Sequence, residues 1–178
     1  MEHVKIVGLC IGVCVAYGII HDLATAHLCV EYFTREHPTI VNTESPIVLA
    51  LVWGVAATWW VGALGGVLLA WAARAGTRPR WTTQQLIPLI LRVAIAAGAA
   101  AFVMGALSYG LATGFEWHRY DWTPEWATRE TAPRYWAVAF AHATSYGVAS
   151  LGGLGVIVHV WRQRNKQILQ DSTGARRI

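Results

Sequence analysis

Charged residues are scarce in this chain. Only 13% of its 178 residues are Asp, Glu, Lys or Arg, against about a quarter in an ordinary soluble domain, which excludes a conventional water-soluble globular protein. Cysteine is scarce as well. Cys10, Cys14 and Cys29 are the whole complement, too few for a disulfide framework. Cys10 and Cys14 stand one helical turn apart inside an apolar run and read as small packing residues. Diagnostic metal-ligand spacings are missing; the His-x-x-x-Glu of His27 and Glu31 is the nearest approach and is unspecific. A basic patch is missing too. The formal charge of +4 is spread by loop rather than gathered on one segment, which argues against a nucleic-acid partner.

What the chain has instead is apolar length. Hydrophobic residues make up 55% of it and the mean hydropathy is +0.40. They fall into four runs, about 4–33, 46–73, 86–114 and 135–161, each longer than the roughly 20 residues a bilayer-crossing helix needs. The expected fold is all-α: a polytopic membrane protein, one domain over 1–178, built as a four-transmembrane-helix bundle. Arg74, Arg78 and Arg80 follow the second run, and Arg162, Arg164, Lys166, Arg176 and Arg177 follow the fourth. The connections 34–45 and 115–134 are mixed or acidic. The positive-inside rule then places both termini, including a tail over 162–178, in the cytoplasm and those two connections outside. Trp71, Trp81 and Trp161 would mark the inner boundary, and Trp117, Trp122, Trp126 and Trp136 the outer one. Ala24-Thr25-Ala26 sits where a signal-peptide cleavage site could lie, but one Lys and one Glu make a weak n-region. The expectation is that the first run is retained as a span, in a bacterial inner membrane.

Small residues punctuate the later spans: Gly62, Gly65 and Gly66; Ala97, Ala101 and Gly105; Gly147, Gly152, Gly153 and Gly155. Such residues let helix backbones approach closely and suit a compact bundle, a homo-oligomer or docking on a larger membrane complex. A faint repeat pairs "YGIIHDLAT" with "YGLATGFEW" and "WGVAATWWVGALGGVLLAW" with "YGVASLGGLGVIVHVW", as a parallel two-plus-two duplication would; chance similarity between Gly/Ala-rich spans is the competing explanation. In the outer connection, "WTPEW" predicts a short interfacial helix with Thr123 as N-cap and Pro124 at its first position, serving as an aromatic anchor or as a lid.

Ionisable groups inside such spans are costly and face the bundle interior or a water-filled cavity. With Lys5 at the inner boundary the midplane falls near residue 15, so a rise of about 1.5 Å per residue puts His21 roughly 9 Å outward. With Trp136 and Trp161 bounding the fourth span, His142 also lies roughly 9 Å outward. Two histidines on different helices therefore share a level. Helical phase adds Tyr17, Thr25 and Tyr32 to the face of His21, with Asp22 on its flank, and Ser145 and Tyr146 to the face of His142. His27 and Glu31 fall on another face. Glu31, His37 and His118 are candidates to close the cluster from above.

Three chemistries suit this set. His21, Asp22, Glu31 and His142 would ligate a transition metal of the zinc, iron or copper kind, as imidazoles and carboxylates on facing helices of a bundle do; such a site could serve an oxidoreductase, with Asp22 either a ligand or orienting an imidazole. Alternatively, the same groups relay protons or ions as part of a transporter or channel subunit, although residues 6–16 and 151–158 are almost wholly apolar. Or a His–Asp hydrogen-bond network fixes helix register in a non-catalytic accessory subunit. A haem would have only His21 and His142 at matched depth, which makes it the weaker cofactor. His159 has no partner at its own level.

The strings "YGIIHDLATAHLCVEYFTREHP", "WGVAATWWVG" and "AHATSY" resemble an uncharacterised family of small bacterial four-span inner-membrane proteins. The resemblance covers most of the chain. It implies that His21, Asp22, Thr25, Glu31, Tyr32, Phe33, His37, Pro38, His142, Ser145 and Tyr146 belong to the family pattern and that His27 does not. It carries over no activity, cofactor or substrate.

Overall fold

Helices in this chain begin where the sequence supplies a start. Ser45 precedes Pro46, whose missing N–H costs nothing at the first helical position. Thr82 and Gln85 form a capping box, each side chain satisfying a backbone N–H of the other's turn. The computed structural model describes residues 1–174, with side chains through Lys166. Its helices are α1 (Glu2–Leu28), α2 (Val30–Arg35), α3 (Pro46–Ala56), α4 (Trp59–Arg74), α5 (Thr83–Gly114) and α6 (Ala132–Gly174), with a 3-10 turn at Trp117–Arg119. Four segments are long and apolar enough to cross a membrane: α1, α3 with α4, α5, and α6 through Lys166. Large apolar side chains point outward from them, with Phe102 78% and Leu151 73% exposed, as lipid-facing positions should be. The chain is a multi-pass membrane protein.

Three boundaries differ from expectation. The first run is not one helix: Cys29 is extended, at φ −150° and ψ 92°, and separates α1 from α2. No Gly or Pro marks this break. Tertiary packing accounts for it, because α2 buries Phe33 against Ala26 and Leu49. The second run breaks at Ala57–Thr58, where the Thr58 hydroxyl donates to the Gly54 carbonyl and so competes with the helix's own bonds. The expected tail over 162–178 is helical as far as Gly174, since α6 runs straight on past Trp161; residues 175–178 lie outside the described part. Neither α5 nor α6 is broken, so the suggested repeat has no matching kinks.

Helix α1 packs on α3 and α4, and α5 on α6, with α1–α5 and α4–α6 contacts joining the two halves. Glycine sets the closest approaches. A Cβ on Gly54 would lie 2.6 Å from Ile19 N, and one on Gly62 would lie 2.7 Å from Ile11 Cα. Gly54→Ala would thus push α3 off the α1 backbone, and is expected to cost about 1–3 kcal/mol in overpacking, read as a lower melting temperature in detergent. The expected small-residue stripes are only partly interfacial: Gly65, Gly147, Gly153 and Gly155 face open space.

At the end that carries both termini, Arg164 of α6 is fully buried. Its guanidinium donates to the carbonyls of Ala72, Ala75, Arg78 and Pro79. These are the last turn of α4 and the turn after it, where helix carbonyls lack intrahelical partners. Gly76, at φ +73°, supplies the left-handed residue that lets the turn present them. Alongside, Trp71 stacks on Trp161 at 5.2 Å and Arg78 lies 4.0 Å over the Trp161 ring.

Candidate metal centre

Constant helical rise brings the two predicted histidines to one level, and the structure has them in contact. The rings of His21 (α1) and His142 (α6) meet edge to face with centroids 4.5 Å apart. Asp22 sits beside them, its Oδ1 3.7 Å from His142 Nε2. One ligand atom from each of His21, Asp22 and His142 lies within 4.8 Å of the others. Asp22 and His142 are each only 5% exposed. Donor atoms on one ion, each about 2.1 Å from it, lie at most about 4.2 Å apart. At up to 4.8 Å the set is wider than that, so its side chains would have to draw together to hold an ion.

The polar accounting around the three residues is incomplete. His142 Nε2 is 3.2 Å from Thr25 Oγ1, and the Thr25 hydroxyl donates to the His21 carbonyl at 3.1 Å. With that single hydrogen committed, the contact requires His142 to be the donor through Nε2–H. His21 Nε2 is buried with no hydrogen-bond partner. Among the described residues, no hydrogen bond reaches the Asp22 carboxylate either; its contact is the 3.7 Å approach of His142. A buried imidazole nitrogen without a partner is costly, and a cation held by the cluster would offset that cost.

The other expected participants are distributed unevenly. Tyr17 stacks on His21 at 5.7 Å and its hydroxyl lies 2.7 Å from Ser145 Oγ, so both belong to the wall. Tyr146 is exposed at the rim, its ring 6.0 Å from His142. Glu31 stands outside the cluster, accepting from the Cys29 thiol at 3.5 Å, in keeping with its place on a different helical face from His21. His27 is exposed and bonds its own helix at Leu23 O. His118 lies on the 3-10 turn of the far connection and is absent from the cluster of ligand atoms.

On the outer side of the cluster, where a mouth was expected, stand aromatic side chains. Helix α2 folds back so that Tyr32 and Phe33 stand 5.0 and 5.8 Å from the His142 ring, with His37 behind them, 4.9 Å from Tyr32 and 4.9 Å from Trp53. Of the three residues expected overhead, His37 alone joins this roof. Tyr32, expected on the face of His21, and Phe33, which helical phase did not add, complete it. The 115–134 connection adds a strap. Trp126 Nε1 donates to Glu36 at 2.7 Å, and Trp136 Nε1 donates to Thr123 Oγ1 at 3.0 Å. Thr123 in turn donates to Trp117 O; it staples the loop rather than capping a helix, and no helix begins at Pro124.

Two alternatives meet physical obstacles. Ring centroids 4.5 Å apart leave no slot for a haem macrocycle between His21 and His142. Below the cluster, toward Lys5 and Arg164, the interior is lined mostly by apolar residues such as Val13, Leu69 and Val156, with Tyr17 and Ser150 among them, few polar steps for a proton or ion relay. Comparison with protein-family models, with curated proteins and with solved structures finds no match to this chain.

Proposed function

We propose that this chain is a multi-pass protein of a bacterial inner membrane, termini inward, that binds one divalent transition metal through His21, Asp22 and His142. The observation that carries this is the cluster itself, one ligand atom from each of His21, Asp22 and His142 within 4.8 Å of the others, with His21 Nε2 buried and without a hydrogen-bond partner. Two imidazoles and one carboxylate are the donor set of zinc centres with an open fourth position and of non-haem iron(II) sites. Neutral imidazole and ionised carboxylate are the ligating forms; if His142 ligates through Nε2, its ring hydrogen would sit on Nδ1 and the contact with Thr25 would be given up. The aromatic roof favours holding an ion over turning over a water-soluble substrate.

The Thr25 bond favours a second function, a network that ties α6 to α1 without any metal. Elemental analysis of protein purified in detergent separates the two. About one zinc or iron per chain is expected, falling at least tenfold in His21→Ala and His142→Ala. Thr25→Val removes the competing bond and keeps the shape, so it should retain the metal. Metal-free wild type that gains none on addition of Zn²⁺ or Fe²⁺, together with a destabilised Thr25→Val, would establish the network instead.

A further inference from the structure

A cavity of about 360 Å³ lies between the two helical halves, one turn below the histidines. Its floor is buried, formed by Cys10, Ala97 and Leu69. Its mouth opens sideways between α4 and α6, where Leu64 and Leu154 line it while 58% and 55% exposed. The space is created by the sequence: Gly65 and Gly153 both line it, and a Cβ on either would meet nothing within 4 Å. Packed glycines in the same helices, Gly62 and Gly152, have no such room. Tyr17 lines the outer end, one turn along α1 from His21. Its oxygen is shared with Ser145, and when Ser145 donates, the phenol hydrogen remains available to a further acceptor.

We infer that this cavity binds an uncharged lipid of the quinone class, its hydrocarbon chain entering between α4 and α6 and a ring carbonyl accepting from Tyr17. Depth selects the class. The cavity occupies the middle of the spans, where a phosphate or ammonium headgroup would be stranded in hydrocarbon, and it is lined without a single charged residue. A plain acyl tail gains nothing from a tyrosine hydroxyl, whereas a carbonyl-bearing ring gains a hydrogen bond in a dry site. The volume is at the small end of the roughly 300–1,000 Å³ typical of ligand pockets, which suits one ring with the first part of one chain. The inference does not depend on metal at the His21 cluster.

The test uses the full chain in detergent and a benzoquinone carrying a ten-carbon chain, with decylbenzene as the probe lacking carbonyls. A saturable rise in melting temperature with the quinone is expected. Tyr17→Phe should weaken it about tenfold, the loss of one hydrogen bond. Gly153→Leu and Gly65→Leu should abolish it while keeping the elution profile and metal content of the wild type. Equal responses to quinone and decylbenzene would overturn the inference in favour of an acyl-tail space, as would quinone binding that survives both leucine variants. A second glycine variant keeps the test decisive if one fails to fold.

Discussion

Replacing Arg164 by methionine is expected to lower the melting temperature of the detergent-solubilised protein by on the order of 10 °C. The buried guanidinium is the partner of four backbone carbonyls that have no intrahelical donor. Methionine keeps much of the stem and none of the donors. Each carbonyl left dry costs about 1–3 kcal/mol; water entering at the membrane surface recovers part of that, leaving roughly 3–5 kcal/mol. For a chain of this size about 2–4 °C accompanies each kcal/mol. Arg164→Lys should fall between, because one ammonium cannot span carbonyls that a planar fork reaches together. Arg162→Met, on the exposed side of the same helix, is the control and should change stability by less than about 0.5 kcal/mol. Equal behaviour of the two arginine variants would show that the clamp contributes nothing.

Asp22→Asn is expected to act in opposite directions with and without metal. In metal-free protein the substitution removes a buried charge that has no hydrogen bond and keeps the side-chain shape, so stability should rise by about 1 kcal/mol or more. In the presence of metal at 100 times its dissociation constant, the wild type gains about 2.7 kcal/mol. Losing the one anionic ligand should weaken binding at least about 100-fold, which removes nearly all of that gain. Thermal melts with and without added Zn²⁺ read both signs. A metal-induced rise of the same size in wild type and Asp22→Asn would exclude Asp22 as a ligand. A metal-free variant that melts lower than wild type would mean the carboxylate holds α1 to α6 through His142.

The four spans were legible because twenty or more apolar residues in water-incompatible runs allow little else. The meeting of His21 with His142 was legible for a related reason: rise per residue is fixed, so counting from the boundaries gives depth. Whatever depended on tertiary packing was hidden. Cys29 carries no breaker signal, so the break that brings Phe33 over His142 could not be read from local pattern, although helical phase did place Tyr32 on the face of His21. Arg164 looked like one of several positive charges in a tail; its burial follows from α4 ending opposite it. Arg92, an exposed arginine within α5, also went unremarked among the apolar residues, and its long stem can carry the charge toward the interface.

His21 and Asp22 belong to α1 and His142 to α6, with Thr25 and His142 separated by 117 positions. At roughly 5–20 residues per second, the ribosome delivers the second half of the cluster on the order of ten seconds after the first. During that interval α1 already resides in the membrane with its imidazole and carboxylate unmatched. Occupancy therefore requires α6, and truncation between α5 and α6 would leave three spans in place and no centre to fill.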